Sequence, residues 1–146
     1  MTTSASLAES TRAHRGLNVT LWIVQVLLAA AFGMAGVMKT TMPIADLAQQ
    51  MVWPGVLPAA LVRFIGLAEL AGALGLILPA AARIRPALSP LAAMGIAFIM
   101  LLAAAFHVSR GELSALPVNL AFGGLAVFVA WGRFRKVPIS PRATGA

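Results

Sequence analysis

Cysteine is absent from the chain. That excludes disulfides, thiol chemistry, iron–sulfur clusters and thiolate-bound zinc together. Charge is scarce: 10% of the 146 residues are Asp, Glu, Lys or Arg, against about 25% in an ordinary soluble domain. The two histidines, His14 and His107, lie in different settings, His14 in a polar N-terminal stretch, which argues against bis-histidine haem ligation within one chain. No metal-ligand cluster, phosphate loop or nucleophile–base pair is present, and Ser109 near His107 does not make a triad. No catalytic residue and no metal ligand are assigned. Any redox role would therefore run through a bound organic cofactor or a partner.

Apolar sequence fills the space that charge leaves. Hydrophobic residues make up 60% of the chain, and the mean hydropathy is +0.92. The net charge of +7 invites a nucleic-acid reading. The basic residues, however, flank apolar runs instead of forming a patch, and no groove-binding motif accompanies them, so nucleic acid is not an expected partner.

Four apolar runs, at about 17–38, 58–78, 87–106 and 116–132, are each long enough to cross a bilayer core of roughly 30 Å, the fourth being the shortest. Pro79, Pro86 and Pro90 are expected to bracket a short connection, and Pro117 to start the last helix. The expected fold is an all-α membrane protein: four transmembrane helices in a compact bundle, embedded in the lipid bilayer. The expected organisation is a disordered cytoplasmic tail at 1–16, a transmembrane domain at 17–135 and a second disordered cytoplasmic tail at 136–146. The first run continues past any small-residue cleavage point to Lys39, so it reads as a retained span and not a signal peptide.

Orientation follows the positive residues. Arg12, Arg15, Arg83, Arg85, Arg133, Arg135, Lys136 and Arg142 fall on one side; Lys39, Arg63 and Arg110 fall on the other. Both termini are accordingly expected in the cytoplasm. The segment 40–57 is too long and apolar for a plain turn. It is expected to pack as a short interfacial helix anchored by Trp53, with a lid over the bundle mouth as the alternative.

Glu69 is the residue that asks for an explanation, because a carboxylate near the bilayer midplane is costly without a partner, a proton or a job. Gln25, Ala29, Phe32, Gly36 and Lys39 share one helical stripe, and Gly66, Gly72 and Ala73 share the face of Glu69. Asn119, Gly123, Ala126 and Ala130 form a third stripe. Small residues let membrane helices approach closely, which places Glu69 inward. Leu67, Leu70, Leu74 and Ile77 occupy another face and suit lipid. Three readings of Glu69 stand side by side: a protonated acid; a partner of Lys39 or an acceptor from Asn119 or His107; and a handler of protons or of a ligand head. The candidate ligand-binding or proton-handling set is Glu69, Lys39, His107, Asn119, Gln25 and Arg63. Arg63 projects about 120° away from Glu69 on the same helix and is a poor partner for it.

The chain resembles the DoxX-like family of small bacterial membrane proteins over residues 17–135. The resemblance rests on Phe-Gly-Met-Ala-Gly-Val-Met-Lys at 32–39 and Phe-Ile-Gly-Leu-Ala-Glu-Leu-Ala-Gly-Ala-Leu-Gly-Leu at 64–76. It also rests on Phe-His at 106–107, a following Arg-Gly-Glu, and Pro-Val-Asn at 117–119. The resemblance implies a four-helix protein of a bacterial inner membrane. It further implies an accessory subunit of a membrane redox system, with a quinone-like ligand and a membrane redox partner protein. A non-catalytic scaffold or assembly factor is the alternative, since a distantly similar animal protein is a receptor-assembly chaperone. A small transporter is a third class, and four helices would serve it best as a homo-oligomer.

Overall fold

In hydrocarbon no water can satisfy a backbone N–H or C=O, so each apolar run has to close its own hydrogen bonds as helix. The computed structural model describes residues 2–51 and 53–142, with side chains described from residue 11 onward. The helices are α1 (Thr2–Thr41), α2 (Ile44–Gln50), α3 (Ala59–Ala82), α4 (Leu88–Ser109) and α5 (Leu116–Trp131). There is no strand among the described residues. The long stretches Thr11–Thr41, Ala59–Ala82, Leu88–Ser109 and Leu113–Lys136 are long and apolar enough to cross a membrane. The chain is thus an all-helical, four-span bundle.

α1 packs along α3, α3 along α4, and α4 along α5, with a lighter seam between α1 and α5. Leu28, Phe32, Ala73, Leu76, Ile96, Met100, Ala126 and Val129 form the shared core. Phe32 and Phe122 meet edge to face, with centroids 5.6 Å apart. Two ends result. One, here the tail end, carries the start of α1, the connection from α3 to α4 and residues 132–142. The other, the α2 end, carries 42–58 and the connection from α4 to α5.

Several details differ from the expectations. α1 extends back to Thr2, so residues 2–16 continue a helix where a disordered tail was expected. Met1 and residues 143–146 lie outside the described residues, as does Val52 in the segment 40–57. Of the second expected tail, 136–142, Arg142 N–H donates to the Arg83 carbonyl at 2.9 Å, tying it to the connection from α3 to α4. Pro79 lies inside α3 instead of in the connection. The helix runs one further turn and stops at Arg83, whose φ of 58° is left-handed. Leu67 and Leu74 face outward as expected. Leu70 instead packs onto Gly36 of α1, and Ile77 onto the core, because the contact face of α3 is broader than one stripe.

Candidate functional site

Two glycines set the geometry of the site. A Cβ on Gly36 would lie 2.8 Å from the Gly66 carbonyl oxygen, and one on Gly66 would lie 2.8 Å from the Lys39 Cβ. The missing side chains let the antiparallel α1 and α3 cross almost backbone to backbone. Side chains on a helix lean toward its N-terminus. Lys39 therefore leans inward along α1 and Glu69 leans outward along α3, so each reaches toward the other. Lys39 Nζ donates to both Glu69 carboxylate oxygens at 2.7 Å. The two side chains are only 7% and 4% exposed. Their opposite charges make a neutral unit, which is how a buried lysine and a buried carboxylate can persist together in a bundle interior.

The surrounding groups hold this pair in place. Arg63 donates from Nη1 to the Lys39 carbonyl at 2.5 Å and from Nη2 to the Met42 carbonyl at 2.7 Å. It thereby satisfies acceptors that the end of α1 leaves free. Leu47 of α2 is fully buried. The Lys39 ammonium sits 5.6 Å from the Trp53 ring centroid, within reach of a cation–π attraction. Trp53, half-buried at this end of the bundle, also lines the same walls as Lys39. α2 rests against this end through the buried Leu47.

Two cavities adjoin the pair. One, of about 780 Å³, includes Phe32, Gln50, Glu112, Val118 and Phe122 in its wall. The other, of about 390 Å³, includes Leu57, Leu61, Phe64, Ile99 and Phe106. Lys39, Trp53, Glu69, Met100, His107 and Asn119 line both. The ion pair therefore stands in the wall between two apolar spaces.

At the end of the third span, His107 Nδ1 lies 2.7 Å from Glu112 Oε2 in the connection that follows, where Arg110 Nε donates to Glu112 Oε1 at 2.7 Å. Hydrogen bonds from Arg110 and then from His107 hold the Glu112 carboxyl below the usual carboxylate range. No group of three or more metal-ligating side chains is found among the described residues.

A model of the DoxX-like family fits residues 23–129, a stretch that includes Lys39, Glu69, His107 and Asn119. The chain belongs to the DoxX-like family. No curated protein and no solved structure matches it. Family membership and four apolar helices together make it a multi-pass membrane protein that meets lipid along its helices.

In this DoxX-like bundle the candidate residues divide into three groups. Lys39 and Glu69 bond directly, while His107 and Asn119 line the same two cavities without bonding to Glu69. His107 is taken by Glu112, and Asn119 Nδ2 is buried with no hydrogen-bond partner among the described residues. Arg63 lies beside the site, bonded to the end of α1, and is not in either cavity wall. Gln25 belongs elsewhere. It is about 21 Å from Lys39 along α1 at 1.5 Å per residue. It donates to the Leu76 carbonyl and accepts from Arg133 Nε, both at 2.7 Å.

Sequence reasoning did not single out Trp53 or Arg133 as site residues. Trp53 carried no periodic signal, since it sits in a 3-10 turn after α2. Arg133 read only as a positive flank. Asn18, Trp22 and Gln25 advance by four and three, continuing the inward stripe of α1, and that spacing was the available signal for a buried partner.

Proposed function

We propose that this DoxX-like protein is a ligand-binding accessory subunit of a membrane redox system. Its α2-end cavities hold a neutral, quinone-like head group with an apolar tail. The observation that carries the reading is the neutral Lys39–Glu69 pair in the common wall of two apolar cavities. A net-neutral site disfavours a charged ligand, which would arrive in a low-dielectric interior without a counter-charge. Asn119 Nδ2 is a buried donor without an acceptor among the described residues. The Lys39 ammonium has three hydrogens, two of which go to Glu69. Donors in search of acceptors suit a head group that carries carbonyl oxygens. A quinone would supply redox chemistry when bound; the residues of this chain would orient it and exclude water. In this reading both termini lie in the cytoplasm, as the positive flanks suggest, and the membrane is a bacterial inner membrane, as the family resemblance suggests.

The test is purification in mild detergent, mass spectrometry of bound small molecules, and titration with a short-chain quinone followed through tryptophan quenching. Stoichiometric quinone, lost in Asn119→Leu and Glu69→Gln variants that remain folded, is the expected result. Bulk lipid alone, or equal quenching by variants and wild type, would refute it.

A second reading, a non-catalytic assembly partner, has one observation in its favour. The outer groove between α4 and α5, about 610 Å³, is walled by Met94, Phe98, Gly123 and Gly124. A Cβ on Gly124 would meet nothing within 4 Å. Such a small-residue groove admits another membrane helix. Crosslinking in native membranes, yielding one stoichiometric partner through this groove, would favour it over the ligand reading.

A further inference from the structure

The two cavities beside Lys39 and Glu69 differ in what else lines them. The smaller, of about 390 Å³, lies between α3 and α4, with Leu61, Phe64 and Ala68 of one and Leu102, Ala103 and Phe106 of the other in its wall. Apart from the side chains it shares with the larger cavity, that wall is wholly apolar. Leu61, Phe64 and Leu102 are also exposed on the outside of their spans. Nearer the tail end the same two helices are closed together by small residues. A Cβ on Gly72 would lie 2.9 Å from Ile96 Cγ1, and one on Gly75 would lie 2.8 Å from the Ala92 Cβ. Toward the α2 end bulky side chains face each other instead, and the cavity occupies the space between the helices there.

The larger cavity, of about 780 Å³, has polar groups of its own. Gln50 ends α2, and Glu112 and Ser114 stand in the connection from α4 to α5; all three are in this wall and not in the other. They belong to the end of the bundle. From there the cavity runs inward on the α1–α5 side as far as Ala31, eight residues before Lys39 and so about 12 Å down α1. Lys39, Glu69 and His107 are in both walls. Their side chains keep 7%, 4% and 14% of their surface accessible. His107 Nδ1 meets Glu112 Oε2, which belongs to the larger cavity alone.

We propose that the two cavities open to different phases, with the Lys39–Glu69 pair as the partition. The smaller one is a portal from the hydrocarbon, through which a lipid-borne, uncharged ligand enters between α3 and α4, polar head first. Its volume is within the range of about 300–1,000 Å³ usual for small-molecule sites. Its walls offer no counter-charge to an ion, and the pair at its inner end is already neutral. The larger one is a vestibule for water at the α2 end, the setting in which polar side chains at membrane depth are tolerated. A ligand oxygen in the portal and water in the vestibule then stand on opposite faces of one carboxylate. The occupant of the portal rests on the ligand reading above; the division into two phases does not.

The absence of cysteine makes the test direct, since single labels can be placed without background. The full chain carrying Ala35→Cys, in the vestibule wall, or Ala68→Cys, in the portal wall, is labelled with a nitroxide in phospholipid vesicles. Collisions are measured with oxygen, which concentrates in hydrocarbon, and with a neutral nickel chelate, which stays in water. The expected result is nickel contact at position 35 and oxygen contact without nickel at position 68, although both lie within spans. Nickel contact at both positions, or at neither, would overturn the division. A second pair of variants fills each cavity, and the short-chain quinone retained in mild detergent is counted by mass spectrometry. Ala68→Phe should hold about tenfold less than the wild type, and Ala35→Phe should hold as much. The reverse pattern, or equal retention by all three, would overturn the portal. Should Ala68→Phe fail to fold, the collision pattern decides. The expected collision pattern with no quinone held even by the wild type would support the two phases and count against the quinone reading alone.

Discussion

Lys39 and Glu69 meet at 2.7 Å because each stands three residues beyond a glycine at the crossing of α1 and α3. Gly36 and Gly66 bring the two backbones together, and the opposite directions of the helices turn the side chains toward one another. The ion pair and the close crossing are one feature, and each gives a handle on the other.

Removing one charge leaves the other buried alone, which typically costs about 3–5 kcal/mol. Glu69→Gln and Lys39→Met are each expected to lower the thermal unfolding midpoint of the detergent-solubilised protein. The double variant Lys39→Met, Glu69→Leu is expected to recover most of the loss, since an apolar pair of similar volume replaces the ions. A double variant no more stable than either single would show that the pair is not coupled as described.

The crossing itself is tested at glycine. Gly36→Ala and Gly66→Ala each force a Cβ against backbone or against Lys39, and overpacking of this kind costs about 1–3 kcal/mol. Distances between spin labels on α1 and α3 should lengthen in both. Gly95→Ala is the control, since its Cβ would meet nothing within 4 Å. It should be neutral or stabilising by up to about 1 kcal/mol, through helix propensity. A destabilised Gly95→Ala alongside unaffected crossing variants would reverse the assignment.

Arg63 closes the end of α1 through the Lys39 and Met42 carbonyls. Arg63→Met should speed amide hydrogen exchange over 42–51 while leaving α4 and α5 protected. The expected cost is about 1–3 kcal/mol, that of leaving buried acceptors unsatisfied. Exchange unchanged in 42–51 would mean that α2 is held by Leu47 alone.

Glu112 titrates below the ordinary carboxylate range because Arg110 and His107 bond its charged form. Its contribution to the order of the connection between α4 and α5 is therefore present above the ordinary carboxylate pKa. It fades as pH falls through the lower folded value. A carbon-13 carboxyl titration should place the Glu112 midpoint low and move it upward in Arg110→Gln. An unmoved midpoint would remove Arg110 as the principal cause.

The sequence alone carried the spans, because a bilayer leaves an apolar run few choices beyond helix. It also carried the inward stripe from Gln25 to Lys39 and the burial of Glu69, since helical spacing assigns faces without knowledge of a partner. Which partner each face meets was decided only by tertiary structure. Glu69 chose Lys39 over His107 and Asn119 because the glycine crossing sets the register of α1 on α3, and no local pattern encodes a register between distant segments. Gln25 shares the stripe of Lys39 yet serves Arg133, because about four turns of one helix separate two residues that spacing alone treats as one face. Trp53, read only as an anchor, and Arg133, read only as a positive flank, were not assigned these contacts for the same reason. Each lies outside a regular helical run, where the chain path and not the periodicity decides what a side chain touches.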